Sequence, residues 1–241
     1  MPRDHAARWA KTVALVALPV LLLAGFAAAT YTPLFRLRDI RVEGTMSLRP
    51  REVVARAGIG SGTNVFHLDA GSIVTALEAD PWIRSATVER HLPGSVVITV
   101  QERTPIAQAL VGTNATVIAG DGIVLPGAAT AGLPEIRASV GELTNDDRTA
   151  AAGALDAMPP VVRARVSAVI AEPTGALVMD LAGGLTVHYG GAGDQFAKAA
   201  ALRSVLAWGA REHVALADID LTVPEAPSAT LQSGETITPS A

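Results

Sequence analysis

Hydrophobic and polar positions follow three different rhythms along this chain. Between Lys11 and Arg36 there is no charge, and Thr12 to Thr30 is apolar almost throughout. About 20 such residues cross the hydrocarbon core of a bilayer, so the run predicts a single N-terminal transmembrane helix over residues 12–32. Pro19 is costly inside a soluble helix but tolerated in a spanning one. Trp9 and Tyr31 bracket the run where interfacial aromatics settle. Arg3, Arg8 and Lys11 precede it, which places residues 1–11 in the cytoplasm and the bulk of the chain outside. The basic start and Ala27-Ala28-Ala29 also fit a cleaved signal peptide. Either way the remainder is extracytoplasmic.

The second rhythm starts at Phe35. Phe35 to Glu43 alternates apolar and charged residues, which predicts a half-buried strand ending at Gly44. A short helix follows, capped by Ser47 or Arg49 with Pro50 in its first turn, and Val53, Val54 and Ala57 form its inward face. A second helix is capped by Asp69 and turns Ile73, Val74 and Leu77 inward, stopping before Pro81. Strands Ile83–Arg90 and Ser95–Arg103 complete the unit across His91-Leu92-Pro93-Gly94, where Pro-Gly suits the centre of a type II turn. Val96, Ile98 and Val100 alternate on one side of the last strand. The order is β-α-α-β-β, assigned to residues 35–104.

From residue 105 to 231 the pattern is β-rich with two helices, so the fold class is α+β. Short strands are expected at Ile106–Val111, Thr116–Ala119 and Ile123–Leu125, around an Asp121-Gly122 turn. A helix begins after Thr144, whose spacing to Asp147 is that of a capping box, and Pro159-Pro160 ends it. Strands Arg165–Ala171, Ala176–Leu181 and Leu185–Tyr189 are expected to form hairpins over Pro173-Thr174-Gly175 and Gly183-Gly184. The second helix runs from Asp194 to about Arg211 and carries Phe196, Leu202, Val205 and Leu206, and a strand spans Val214–Val223. Residues 232–241 are polar and small, and are read as a disordered tail.

Composition narrows the chemistry. There is no cysteine, which excludes disulfides and thiolate metal sites. Residues 36–104 carry nine Arg against eight acids, whereas seven basic residues face fourteen acidic ones from Pro105 onward. A phosphate-binding surface would be basic, so nucleic acid is not an expected partner. Gly190-Gly191-Ala192-Gly193 lacks the Lys-Ser/Thr ending of a phosphate loop and reads as a helix lead-in. Asp218 and Asp220 share one side of a strand without a third oxygen ligand nearby in sequence, and read as solvated carboxylates. The five histidines form no metal-ligand pattern. No catalytic, metal or cofactor residue is assigned, and the chain reads as a binding module, not an enzyme.

Three motifs in the second block go further: I-x-V-x-G at Ile40–Gly44, N-x-F-x-L-D at Asn64–Asp69, and P-W-I-x-x-A-x-V-x-R-x-x-P-G at Pro81–Gly94. With "DGIVLP", "GLPEI", "LTVHYG" and "LADIDLTVP" further on, they resemble the FtsQ/DivIB family of bacterial cell-division proteins. The resemblance covers roughly Ala14 to Val223. It implies a retained anchor, a POTRA domain and an FtsQ-type β domain in a septal inner-membrane protein. It also implies a scaffold role, linking early and late divisome proteins and helping to control septal peptidoglycan synthesis. Partners would be the bitopic FtsB-like and FtsL-like proteins, with a further divisome partner conceivable at the POTRA edges.

The same resemblance aligns "DIDLTVP" with the penultimate strand, making Glu225–Leu231 the last, edge strand. Partner binding by β-augmentation is therefore assigned to Val223, Glu225, Ala226, Pro227, Ser228, Ala229, Thr230 and Leu231. Pro227 supports an edge, since proline cannot donate to a central ladder. Relatives carry aromatic contacts near Val223 and Leu231, so the contacts here would be aliphatic. The alternative for Glu225–Leu231 is the start of the disordered tail. At the level of function, the alternatives are a POTRA-bearing transport or assembly factor, which would need a following membrane barrel, and a cell-wall hydrolase, which lacks its acids.

Overall fold

A computed structural model describes the backbone of residues 3–111 and 114–238, and side chains from residue 17 onward apart from those of 111–114. The side chains of the expected cytoplasmic segment 1–11 and of residues 12–16 of the expected anchor therefore lie outside the described residues, as does the end of the tail. The chain forms two compact units, Met1–Glu102 and Arg103–Ala241.

The first unit opens with α1 (Arg3–Thr30), which contains Pro19. Among the described residues, no helix is long and apolar enough to cross a membrane. The expected β-α-α-β-β order then follows as β1 (Asp39–Glu43), α2 (Pro50–Ala57), α3 (Ala70–Glu78), β2 (Ile83–His91) and β3 (Ser95–Glu102). The sheet order is β1-β3-β2, with β3 parallel to β1 and antiparallel to β2. Val96, Ile98 and Val100 face the core together with Val53, Ile73, Leu77 and Ile83. The α2 N-cap is Arg49, without a side-chain bond, and Pro50 is at the first helical position. Asp69 caps α3 by accepting from the N–H groups of Gly71 and Ser72.

The β2–β3 connection departs from the expected type II turn. The Leu92–Pro93 peptide is cis, and Gly94 is not among the glycines with positive φ that such a turn requires. Glycine is needed there for a different reason. A Cβ at residue 94 would lie 2.7 Å from the Arg36 carbonyl oxygen, while the Gly94 carbonyl accepts from Arg38 N–H at 2.8 Å.

The second unit is built on a ten-stranded sheet. Its strands are β4 (Pro105–Val111), β5 (Asn114–Ala119), β6 (Val124–Leu125), β7 (Glu135–Ala138), β8 (Val166–Ala171), β9 (Leu177–Leu181), β10 (Leu185–Gly190), β11 (Leu216–Asp220), β12 (Ser228–Leu231) and β13 (Thr236–Ile237). The spatial order is β13-β12-β11-β10-β9-β8-β7-β4-β5-β6. The helices are α4 (Asn145–Ala157), the single turn α5 (Pro160–Arg163) and α6 (Gln195–Glu212). β7 and β8 are parallel across α4 and α5, and β10 and β11 are parallel across α6. Each long helix is therefore a crossover of the kind that parallel neighbours require. Leu155 of α4 and Leu202 and Val205 of α6 join Ile136, Val169, Met179, Val187 and Ile219 in one core. The capping box is present: the Thr144 hydroxyl accepts from Asp147 N–H, and the Asp147 carboxylate accepts from Thr144 N–H.

Three features of this unit stand outside the sequence reading. β7 was not anticipated from periodicity, because its four residues are too few to show any. Phe196 is 82% exposed. The buried stripe of α6 runs through Lys198, Ala199, Leu202, Val205 and Gly209, which puts Phe196 on the outer stripe with Ala200 and Arg203. The segment after Gln232, expected as a disordered tail, turns back to form β13 against β12. Leu231 N–H donates to the Glu235 carbonyl at 2.8 Å, and Gly234 takes φ +89°. This is a three-residue hairpin loop closed by a left-handed glycine.

Candidate partner interface and the motifs behind it

The POTRA motifs each have a structural task. Asn64 Nδ2 donates to the Thr30 carbonyl at 2.8 Å, and Asn64 Oδ1 accepts from Phe66 N–H at 2.9 Å. Phe66 meets Phe26 and Phe35 edge to face, with ring centroids 6.3 Å and 5.5 Å apart. His67 stacks on Tyr31 at 4.3 Å, and its Nε2 is 3.0 Å from the Thr30 hydroxyl. The N-x-F-x-L-D segment thus fastens the POTRA sheet unit to the end of α1, while Leu68 enters the core and Asp69 caps α3. Arg90 Nη1 reaches the carbonyls of Phe66 and Leu68 at 3.3 Å and 3.4 Å, which ties β2 to the same loop.

Sequence reasoning missed Glu102. It ends the buried row Val96, Ile98, Val100 on β3, with only 7% of its surface exposed. Its carboxylate accepts from the consecutive N–H groups of Met46, Ser47 and Leu48, at 2.8, 2.8 and 2.9 Å. Burial pushes the carboxyl up, but the three amide bonds outweigh it and hold it below its ordinary value. A carboxylate in phase with core valines and isoleucine was the available signal.

No catalytic grouping emerges among the described residues. Among the described residues, no cluster of three or more His, Asp or Glu is placed to hold a metal ion. Asp218 pairs with His188 at 3.1 Å; Asp220 accepts from Thr222 N–H at 2.8 Å, and hydrogen bonding to the Thr222 side chain and N–H holds its carboxyl below its ordinary value. The Gly190–Gly193 loop leads into α6 and is held by Lys198, whose Nζ donates to the Gly191 carbonyl at 2.7 Å. Lys198 is 5% exposed and sits over the Tyr189 ring.

The residues assigned to partner binding lie together at one end of the sheet. Val223 is 55% exposed, Glu225 and Ala226 are exposed, and Pro227 is half-buried just before β12. Ser228, Ala229 and Thr230 pair antiparallel with Asp220, Ile219 and Asp218 of β11, and Leu231 pairs with Leu216. Ala229 is buried at 1% exposure. On its other side β12 is met by β13, through Ala229↔Ile237 and Thr230↔Thr236. Beside this end a groove of about 470 Å³ opens between α6 and the loop before β12, lined by Val205, Trp208, Arg211, Glu225, Pro227 and Thr238 among others. Beyond β13 the sheet has no further strand among the described residues.

These features define a POTRA-bearing chain with a β-rich second unit whose sheet ends in short strands. Residues 35–103 match the FtsQ-type POTRA domain. The resemblance to the FtsQ/DivIB cell-division family is shown by further similarities to cell division protein FtsQ of several bacteria. The chain is 41% identical to that of Syntrophotalea carbinolica over 73 residues, covering 30% of this chain and 26% of the relative. To that of Anaeromyxobacter sp. (strain K) it is 29% identical over 144 residues, 52% of this chain and 49% of the relative. To that of Mycolicibacterium smegmatis it is 25% identical over 183 residues, 76% of this chain and 54% of the relative. The chain therefore spans from about a quarter to about half of these relatives' lengths. A similarity is also found to the major extracytoplasmic domain of the trans isomer of DivIB from Geobacillus stearothermophilus. It has 19% identity and a TM-score of 0.33, and covers 46% of this chain and 93% of that one.

Proposed function

We propose that this protein is a non-enzymatic scaffold of the bacterial division machinery. It is anchored by α1 and binds FtsB-like and FtsL-like partners outside the cytoplasm. The observation that carries the reading is the FtsQ-type POTRA domain at residues 35–103, followed by a sheet that ends in the short strands β12 and β13, the outer one paired through only two residues. Main-chain pairing needs no side-chain motif. Such a protein links early and late division proteins and helps control septal peptidoglycan synthesis.

The anchor reading is supported by α1 itself. Leu18, Val20, Leu21, Leu22, Leu23 and Phe26 are each more than half exposed, an apolar surface that water does not favour and lipid does.

A fluorescent fusion to the full chain, expressed in the native host, tests both parts. The expected result is a mid-cell band, with the protein at full mass in the membrane fraction. An even distribution around the envelope would favour a transport or assembly factor instead. A mature protein beginning at Thr30 would exclude a retained anchor.

A further inference from the structure

The β12 edge already holds a strand. We infer that the C-terminal hairpin strand β13 is a built-in competitor, which must leave β12 before a partner strand can pair there. The inference rests on the reading of β12 as the partner site.

Three observations carry it. First, the pairing is antiparallel and in register. Leu231 N–H turns outward to the Glu235 carbonyl, so by the alternation of antiparallel ladders the outward groups of Ala229 are taken by Ile237. An incoming strand needs those same groups. Second, β13 copies what such a strand must offer. Ile237 is half-buried against the core over Ala229, while Thr236 faces Thr230 with the hydroxyl oxygens 3.0 Å apart. The fitting partner segment is thus an extended stretch that alternates apolar and small polar residues, with its apolar side toward the core. Third, β13 is weakly held. It has two paired residues, a three-residue loop and an exposed Thr236, against four register pairs between β11 and β12. A longer partner strand can displace it. The competition also sets apparent affinity, which falls by the fraction of molecules whose edge is free.

The absence of cysteine makes the test clean. Thr230 and Thr236 form the non-hydrogen-bonded pair, whose side chains stand closest, so Thr230→Cys with Thr236→Cys can close a disulfide that locks β13 in place. Binding of an extracytoplasmic fragment of the host's FtsB-like protein is measured on the oxidised and reduced double variant, with closure checked by mass. It is also measured on chains ending at Leu231 and at Val223. The expected result is at least tenfold weaker binding when oxidised, recovered on reduction, and about tenfold tighter binding for the chain ending at Leu231. Equal binding by the oxidised and reduced forms, or weaker binding by the chain ending at Leu231, would overturn the competitor role. If the chain ending at Val223 binds at full strength, the failure lies in the reading of β12 itself.

Discussion

Ile98→Asp is expected to abolish the cooperative unfolding of the POTRA unit. Ile98 lies on the central strand, opposite Val42 of β1 and Val88 of β2, with none of its surface exposed. A carboxylate there has no donor to meet it and must either stay charged in the core or take up a proton. The cost is about 4 kcal/mol or more, against a total stability of about 5–15 kcal/mol for a small domain. Thr99→Asp, one residue on and exposed on the other face, is expected to shift stability by about 0.5 kcal/mol at most. Thermal melts of the two variants read the difference directly. Unchanged melting of the Ile98 variant would mean that the strand register is wrong.

The second large effect is expected at Glu102. Glu102→Gln keeps the size but replaces a carboxylate that serves three amides by a group with one acceptor oxygen and an NH2 of its own. The expected loss is about 2–3 kcal/mol, a fall in melting temperature of roughly 10 °C or more for a domain of this size. The effect depends on pH in a defined direction. The folded carboxyl titrates below its unfolded value, so its contribution is fully present above the unfolded pKa and fades as pH falls through the folded one. Native and Glu102→Gln proteins should therefore differ most near neutral pH and draw together as the pH falls below the ordinary carboxylate range. A constant gap across that range would show that the carboxylate charge is not what holds the Met46–Leu48 loop.

The two units were unequally legible in the sequence. The POTRA elements were readable because each carries its own signal: alternation in β1 and β3, an Asp69 cap, and Pro50 at a helix start. Glu102 was not singled out, although its phase with Val96, Ile98 and Val100 put a carboxylate on the core side. In the second unit, local patterns indicated the hairpin strands and the Thr144–Asp147 cap. They could not indicate that β7 lies between β4 and β8, or that β10 and β11 run parallel, since those pairings join residues far apart in sequence. Hydrophobicity alone does not reveal which face of α6 is buried, since the small residues Ala199 and Gly209 belong to the buried stripe while Phe196 is exposed. The tail was misread from its polarity. Thr230-Leu231 and Glu235-Thr236-Ile237 flank Gln232-Ser233-Gly234, and glycine at the third loop position is the signature of a short hairpin.

The central claim is that the end of the sheet at β12 receives the division partner. It is tested most directly by capturing the FtsB-like protein from the native host with the full chain and with a chain ending at Val223. The shortened chain lacks Glu225–Leu231 but keeps β11, and circular dichroism and a cooperative melt establish that it remains folded. The account predicts that the full chain retains the partner and the folded, shortened chain does not. Capture at full strength by the shortened chain would contradict it.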